Sequence, residues 1–290
     1  MAAPAREIAS PPPFAMTPLS PVGGVEIRGI DLAAPFGAEV FEAIMDAFLE
    51  HHILVFRDQD LPGEAQLAFT RRFGEIEEHV GRLPNGEKYP LLHVIHNLDE
   101  DGNPVRISGG NYFWHTDKSY HAVPSLLTML HAVETPSEGG DTQFANMHMA
   151  WDSLDPGTQE EVSDLCAIHS WEANRRNTKQ SPATDIQKRE RPPVRHPIVR
   201  SHPVTGRKAL YLGIHTSHID GQPKEEGHAF LNRLLRRATK ADFIYTHKWR
   251  KGDLVLWDNR CLLHRAVANF DMESERRVLH RTVVKGTVPY

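Results

Sequence analysis

The alternation of apolar and polar positions predicts short strands with helices between them. Residues 24–30 alternate like a half-buried strand, and residues 53–56 form a short apolar run that is typical of a buried strand. Between these two strands, residues 38–50 repeat apolar side chains at helical spacing. Residues 62–74 predict another helix, with Pro-Gly-Glu at its start and Gly74 after its end. The first quarter of the chain therefore mixes both element types.

The rest of the chain continues this mixture. A helix is predicted at residues 149–169, broken near Asp155-Pro156-Gly157, and another at residues 225–239. Short strands with helices inserted among them favour a mainly β fold, a double-stranded β-helix (jelly roll) core with helical insertions. Further strands are predicted at residues 91–95, 124–133, 142–144, 208–212, 254–257 and 277–284.

Two segments lack this patterning. Residues 1–21 are rich in Pro, Ala and Ser and lack the continuous apolar core of a signal peptide, so we expect a partly disordered tail. Residues 172–197 contain many charges, four prolines and almost no apolar side chains. A long polar segment inside a compact domain is typical of a mobile lid. We therefore predict a single domain at residues 22–290 with a mobile segment at residues 172–197.

Composition excludes several classes of function. The formal charge of −5 gives no general attraction to nucleic acid or to anionic membranes. The chain contains no apolar stretch of the length that a membrane span needs. Its two cysteines, Cys166 and Cys261, are too few for a disulfide framework and fit a reducing compartment. We expect a cytoplasmic homo-oligomer that binds a small molecule and neither nucleic acid nor membrane.

The chemistry centres on His115-Thr116-Asp117 and on His264 far downstream. Residues i and i+2 of an extended segment point to the same side, so His115 and Asp117 can offer an imidazole and a carboxylate to one ion. His264 would supply a second imidazole from a distant strand. Two histidines and one carboxylate on one face of an ion form the facial triad of non-heme Fe(II) oxygenases. A second His-x-Asp sequence, at His218 and Asp220, is a rival metal motif.

The surroundings of this triad carry a set of longer motifs. They are residues 54–59 (LVFRDQ), 73–75 (FGE), 114–117 (WHTD), 139–142 (GGDT), 202–207 (HPVTGR), 257–260 (WDNR) and 276–281 (RRVLHR). Together they resemble the taurine dioxygenase and aryloxyacetate dioxygenase family of Fe(II)/2-oxoglutarate enzymes. The resemblance runs from about residue 25 to residue 285.

The resemblance implies roles for individual residues. It implies that His115, Asp117 and His264 bind iron, and that Thr142 and Arg277 hold the distal carboxylate of 2-oxoglutarate. A planar guanidinium is a suitable bidentate partner for a buried carboxylate.

Two registers of the arginine pair are compatible with the resemblance, because residues 265–275 are longer than the family pattern. Either Arg276 or Arg277 could therefore face inward. Arg277 is favoured because it shares a strand face with Arg281, roughly 13 Å away.

The resemblance also suggests substrate contacts. Asn111, four residues before the first iron histidine, and His79 approach the substrate by analogy, and Arg281 lies near the substrate or the cosubstrate. Lys118 directly follows the iron carboxylate. It is either a surface lysine or, if it points inward, a partner for an anionic substrate.

The activity implied is hydroxylation of a C–H bond with Fe(II), 2-oxoglutarate and dioxygen, giving succinate and CO₂ as coproducts. The expected substrate is a small, anionic organic molecule such as a sulfonate, an aryloxyalkanoate or an alkyl sulfate. One alternative is a Zn²⁺ hydrolase that uses the same ligands, which does not account for Arg277 with Thr142. Another is a catalytically silent binding protein of the same fold, which predicts the loss of at least one triad residue.

Overall fold

The computed structural model describes residues 13–78, 87, 90–105 and 109–290, and in these ranges it is built mainly of strands with some helices. The helices are α1 (Ala38–His51), α2 (Gly63–Arg71), α3 (Met147–Asp152), α4 (Pro156–Ser163), α5 (Trp171–Asn177), α6 (Asp185–Glu190) and α7 (Lys224–Ala238). The strands are β1 (Ala15–Pro18), β2 (Val25–Arg28), β3 (Ile53–Phe56), β4 (His93–His96), β5 (Ser125–Glu134), β6 (Thr142–Asn146), β7 (Cys166–His169), β8 (Val194–Pro197), β9 (Val199–Ser201), β10 (Lys208–Leu210), β11 (Thr216–Ile219), β12 (Ile244–His247), β13 (Leu254–Asp258), β14 (Leu262–Ala266) and β15 (Val278–Lys285).

Seven strands form the main sheet in the order β1-β2-β3-β13-β5-β15-β4. Its neighbours are antiparallel except for β2 and β3, which run parallel. A second antiparallel sheet has the order β12-β6-β14, and two smaller sheets are β11-β7-β8 and β10-β9. The prediction of a mainly β fold with helical insertions is confirmed at this level.

The central strands β3 and β13 of the main sheet are buried on both faces. In β13, Val255 and Trp257 pack into a cluster that also holds Phe144 of the second sheet. The alternate side chains of β13, Leu254 and Leu256, pack into a separate cluster with helix α1. Because successive side chains point to opposite faces, a strand covered on both sides reads as a continuous apolar run. This explains why the central strands show little polar alternation.

The longest helix, α7, covers the core through one face. Its buried residues Gly227, Leu231, Leu234 and Ala238 are spaced by three or four positions, which places them on one side of the helix. Within the described ranges, none of the helices combines the length and apolar character that a bilayer crossing requires.

The predicted helix at residues 149–169 is wrong at its carboxyl end. Helix α4 begins after Asp155, whose side chain accepts a hydrogen bond from Thr158 N at 2.9 Å, so the predicted break is present. The following residues, however, form strand β7, which pairs with β8 and β11. Pairing with two strands distant in sequence overrides the local helical pattern, and single-sequence reasoning does not see such partners.

Two predicted irregular segments contain regular structure. Residues 15–18, inside the predicted tail, form β1 and pair with β2, so the end of that tail is ordered. Residues 172–197 include most of α5, all of α6 and β8. Helix α6 begins with a capping box between Thr184 and Gln187, so its polar residues serve a helix end. The mobility of this segment stays a prediction.

Ile44 and Ile186 provide a matched test of the core. Both lie in helices, but Ile44 is fully buried in α1 whereas 60% of Ile186 in α6 is exposed. We expect Ile44→Ala to lower the free energy of unfolding by about 2–5 kcal/mol, because it removes buried methyl groups and leaves a cavity. Ile186→Ala should change it by less than about 0.5 kcal/mol. Urea unfolding of both variants measures the difference, and equal losses would contradict the packing described.

Candidate active site

The backbone brings His115 and His264 together. Each residue donates its amide hydrogen to the other's carbonyl, His115 N to His264 O at 3.1 Å and His264 N to His115 O at 2.8 Å. The ring centroids lie 4.1 Å apart. The carboxylate of Asp117 faces the same space, with Oδ2 3.9 Å from His264 Nε2. One ligand atom from each of the three residues lies within 4.8 Å of the others, so they can hold one metal ion.

The histidine rings are prepared for this role. His115 Nδ1 donates to Phe113 O at 2.7 Å, which leaves Nε2 with its lone pair for a metal. His264 Nδ1 is buried and has no hydrogen-bond partner among the described residues. Burial lowers the pKa of both histidines, that of His264 strongly. Both rings are therefore neutral, the form that coordinates metals.

Asp117 is held as a carboxylate. Burial opposes its ionisation, but the positive charge of Arg281 and a hydrogen bond from Thr128 help to hold its pKa well below the usual range. Arg281 approaches Oδ1 at 2.7 Å, and Thr128 Oγ1 donates to Oδ2 at 2.5 Å. Two neutral imidazoles and one carboxylate are a donor set that fits Fe(II).

Asn259 joins the two parts of the triad. Its carbonyl accepts a hydrogen bond from Thr116 Oγ1 at 2.7 Å, and its side-chain Nδ2 donates to Thr128 Oγ1 at 3.0 Å. Its side-chain Oδ1 accepts hydrogen bonds from Trp257 Nε1 at 3.2 Å and from the Asp117 amide at 3.3 Å. Sequence analysis identified the motif at residues 257–260 but assigned Asn259 no role. The structure places it as a support for the metal-ligand segment.

Gly213 allows a third segment to approach the triad. The residue has φ of +141°, and a Cβ atom there would lie 2.9 Å from Trp114 O. Its neighbour Ile214 donates its amide to the same carbonyl at 2.9 Å. A side chain at position 213 would therefore push this loop away from His115.

The structure resolves the orientation of the arginine pair. Arg277 Nε donates to Gly140 O at 2.9 Å, and its guanidinium lies 5.8 Å from the centroid of the Trp249 ring. Burial lowers the pKa of Arg277 to about 10, so it stays protonated at neutral pH. Arg276 instead contacts Glu134 at 2.9 Å, with 37% of its side chain exposed. Arg277 is thus the inward residue.

Arg277 lines a cavity whose walls include the apolar residues Ile95, Val267 and Phe270 as well as polar ones. In the described part of the chain it makes no ion pair with a carboxylate, although its amide donates to Asn97 Oδ1 at 2.8 Å. The cavity that it lines also includes Asn97, Asn111, Tyr112 and Ala266. The predicted substrate residue Asn111 therefore lines the same cavity as Arg277.

Thr142 lies close to this cavity and is hydrogen-bonded to Trp249. Trp249 Nε1 donates to Thr142 Oγ1 at 3.0 Å, so the hydroxyl can pass its own hydrogen to another acceptor. Thr142 also pairs across the second sheet with Ala266, a cavity residue. Sequence analysis did not identify Trp249, because nothing in the sequence distinguishes it from a tryptophan of the hydrophobic core.

Lys118 is buried but not free. It has a left-handed backbone with φ of +54°. Its Nζ lies 3.1 Å from Glu77 Oε1 and donates to Glu78 O at 2.8 Å. His79, which was predicted to approach the substrate, lies outside the described residues. Arg281, next to Asp117, is therefore the cation that stands nearest the metal ligands.

A histidine that sequence analysis missed forms one wall of the site. His215 follows the Gly213 loop, and its Nδ1 lies 3.0 Å from Ser119 Oγ. Its ring lies 6.2 Å from that of His115 and 4.9 Å from that of Tyr120. Burial lowers the pKa of His215 to about 3, so it is a neutral wall.

The rival His-x-Asp sequence does not form a ligand pair. Asp220 pairs with Arg195 at 2.7 Å, and His218 Nδ1 contacts Ser217 Oγ at 3.0 Å. Neither residue belongs to a potential metal cluster in the described ranges.

Comparisons with known proteins agree with this geometry. The family described as "Taurine catabolism dioxygenase TauD, TfdA family" matches residues 15–283. The chain is 36% identical over 281 residues to an alpha-ketoglutarate-dependent 2,4-dichlorophenoxyacetate dioxygenase of Cupriavidus pinatubonensis, covering 93% of this chain and 98% of the relative. It is 36% identical over 278 residues to an (S)-phenoxypropionate/alpha-ketoglutarate-dioxygenase of Sphingobium herbicidovorans, with 94% and 95% covered.

The fold is also that of a solved relative. The crystal structure of AAD-2 in complex with Mn(II) and N-oxalylglycine matches with a TM-score of 0.83 and 34% identity. The match covers 95% of this chain and 98% of that chain. With a family match over most of its length and relatives above 30% identity, the chain belongs to the TauD/TfdA dioxygenase family.

Proposed function

We propose that this enzyme, an Fe(II)- and 2-oxoglutarate-dependent dioxygenase, hydroxylates a C–H bond of a small carboxylate-bearing substrate of the aryloxyalkanoate type. The observation that carries the proposal is the combination of a His-Asp-His metal triad with Arg277, a partly buried cation without a carboxylate partner in the described part of the chain. A Zn²⁺ hydrolase would use the triad and leave this cation without a purpose. The names of the relatives above favour aryloxyalkanoates over other small anions.

The triad would hold the iron through His115 Nε2, a carboxylate oxygen of Asp117 and the ring of His264. When bound, the metal with 2-oxoglutarate and dioxygen supplies the oxidising chemistry, and the protein supplies binding and orientation. The Phe113 carbonyl fixes the His115 ring, and Thr128 fixes the carboxylate. With only three protein ligands, the metal would keep further positions available for cosubstrate and dioxygen.

Arg277 and Thr142 would bind the distal carboxylate of 2-oxoglutarate. The cavity of Arg277 places a guanidinium and amide groups around one space, and Trp249 orients the Thr142 hydroxyl. A carboxylate that enters this cavity would gain a charge-assisted hydrogen bond in a poorly solvated site. Asn111 lines the same cavity. It would therefore contact the part of the substrate that lies next to 2-oxoglutarate.

Arg281 would bind the anionic group of the substrate. It lies on β15, whereas Arg277 immediately precedes that strand. Four residues of extended chain span roughly 13 Å. At that separation, each arginine would bind a different anionic group. Arg281 contacts Asp117 Oδ1 through one guanidinium nitrogen, so its other nitrogens would be available to an anion. Lys118 adds less, because its single Nζ already contacts both Glu77 Oε1 and Glu78 O. His79 stays a predicted substrate contact.

The proposal extends to architecture and setting. Side chains of the main sheet and of the β12-β6-β14 sheet share one hydrophobic cluster, which supports a double-stranded β-helix core. The negative net charge supports a small molecule, and not nucleic acid, as the partner. We propose a cytoplasmic homo-oligomer.

A substrate screen tests the function. Purified protein with Fe(II) and 2-oxoglutarate would be offered aryloxyacetates, aryloxypropionates, alkyl sulfates and sulfonates, and succinate would be measured with and without dioxygen. We expect oxygen-dependent succinate formation that rises most with an aryloxyalkanoate. Product formation without dioxygen would favour the hydrolase alternative and contradict the proposal.

The triad assignment predicts that each ligand is required. His115→Ala, Asp117→Ala and His264→Ala should each lose bound iron and 2-oxoglutarate decarboxylation, because two ligands remain where three are needed. His218→Ala is the control from the rival motif and should retain both. Elemental analysis and succinate assays measure the outcome. Near-normal turnover in any triad variant would overturn the assignment.

The arginine pair predicts a selective effect on the cosubstrate. Arg277→Ala should weaken 2-oxoglutarate binding by about 2–5 kcal/mol, since the distal carboxylate loses its charged partner. This corresponds to roughly a 30- to 5,000-fold rise in the 2-oxoglutarate concentration required. Arg276→Ala, the neighbouring control, should change it little because Arg276 contacts Glu134 instead. Titration of both variants measures the effect, and a larger effect of Arg276→Ala would contradict the orientation.

Residues 172–197 are proposed to close over the substrate. The Arg191 guanidinium lies 4.9 Å from the Trp171 ring, which lies 5.1 Å from Tyr120 in the turn after Asp117. Arg191→Ala should loosen this contact and raise the ratio of succinate to hydroxylated product. Arg195→Ala, whose partner is the exposed Asp220, is the control.

The same proposal predicts protection from proteolysis. Iron, 2-oxoglutarate and substrate without dioxygen should slow cleavage within residues 172–197. If ligands left the cleavage rate unchanged and both arginine variants stayed fully coupled, the segment would be a surface structure without a closing role.

A further inference from the structure

A second group of metal-ligating side chains lies in the core, apart from the triad. It comprises His52 at the end of α1, His148 in α3 and Cys261 in the turn between β13 and β14. Their exposed fractions are 2%, 0% and 1%. One ligand atom from each lies within 4.8 Å of the other two. The proposed dioxygenase chemistry uses none of these residues.

The nitrogens of this group lack partners. His148 Nδ1 donates to Lys208 O at 2.7 Å, so Nε2 carries a lone pair, and Nε2 is buried without a hydrogen bond among the described residues. Both nitrogens of His52 are also buried without a hydrogen bond among the described residues. A buried polar atom without a partner costs about 1–3 kcal/mol. Two histidines left in this state point to a ligand that would satisfy them.

The backbone at His52 is also unusual. His52 ends α1 with φ of 64° and ψ of −17°, the left-handed conformation. Glycine is the usual residue at such a helix end, and another side chain costs roughly 1–2 kcal/mol there.

Backbone hydrogen bonds already hold the three segments together. His52 O accepts from Asp258 N at 3.0 Å, and Met147 N donates to Cys261 O at 2.9 Å. The Cys261 thiol has only a weak contact with Asp258 O at 4.0 Å. The backbone around the cluster is thus preorganised, and one ligand atom of each residue lies within 4.8 Å of the other two.

We propose that His52, His148 and Cys261 form a structural binding site for a soft d¹⁰ cation, Cu⁺ or Zn²⁺. Thiolate and imidazole are the ligands that these ions prefer. Two ligands of a zinc ion stand roughly 3.5 Å apart, so side-chain rotation within the 4.8 Å group suffices. The thiol proton of Cys261 leaves to solvent as the sulfur–metal bond forms. Cu⁺ with one thiolate gives a centre without net charge, which suits a dry core better than the net positive charge of Zn²⁺.

Binding would stabilise the fold next to the active site. The cation would link α1, α3 and the turn that leads into β14, the strand that carries His264. Because a cation that binds only the folded chain raises its stability, metal-dependent stabilisation is the expected signature. A merely structural histidine cluster would show no such dependence.

The test uses the full chain with Asp117→Ala and His264→Ala, which removes the triad's own metal binding. The protein would be equilibrated anaerobically with Cu⁺ or with Zn²⁺, and bound metal, near-ultraviolet thiolate-to-metal absorption and melting temperature would be measured. We expect one equivalent of at least one cation, a new absorption band and a higher melting temperature. The two arms decide which cation binds.

Single substitutions in the same background complete the test. His52→Asn keeps a residue that tolerates the left-handed backbone, and it should reduce bound metal to near zero and abolish the metal-dependent rise in melting temperature. Cys261→Ser should also lose the absorption band. Cys166→Ser, which changes the other cysteine, should retain the bound metal, the absorption band and the metal-dependent rise in melting temperature. If Cys261→Ser does not fold, His52→Asn still decides. No bound cation in either arm, or binding that His52→Asn leaves unchanged, would overturn the proposal.

Discussion

The active site depends on the pair of reciprocal backbone hydrogen bonds between His115 and His264. These bonds fix two segments that are 149 positions apart in the sequence, so that both imidazoles face one space. The contacts of Asn259 and the close approach of Gly213 support the same junction from either side. Position, and not intrinsic reactivity, is what the protein contributes to the ligands.

The electrostatics of the site follow from burial and pairing. Burial keeps the two histidine rings neutral, while Arg281 and Thr128 help keep Asp117 ionised despite burial. Arg277 is different because its charge has no carboxylate partner in the described part of the chain. An unpaired cation in a poorly solvated cavity is costly unless an anion enters. In the proposed function, the distal carboxylate of 2-oxoglutarate would be that anion.

Sequence reasoning predicted what depends on local pattern. The apolar runs of β3 and β13 and the helical spacing of α1 predicted those elements, and the motifs around His115 and Arg277 predicted the residues that the structure brings to the site. Sequence reasoning did not predict the elements and contacts that depend on partners distant in the sequence. Residues 166–169 became a strand through β8 and β11, and His215 and Trp249 reach the site only because loops fold back. The sequence left Lys118 open between a surface residue and an inward partner for an anionic substrate, and it did not show that Glu77 would pair with the buried lysine.

The central claim is that one metal ion and one cosubstrate fit between the triad and Arg277. A crystal structure of the protein soaked anaerobically with Mn(II) and N-oxalylglycine tests it most directly, because anomalous scattering locates the metal without assumptions about its ligands. The account predicts a single strong peak within coordination distance of His115, Asp117 and His264, with the distal carboxylate of the analogue on Arg277. A metal bound elsewhere, or an analogue whose distal carboxylate contacts Arg276 and leaves Arg277 unpaired, would contradict it.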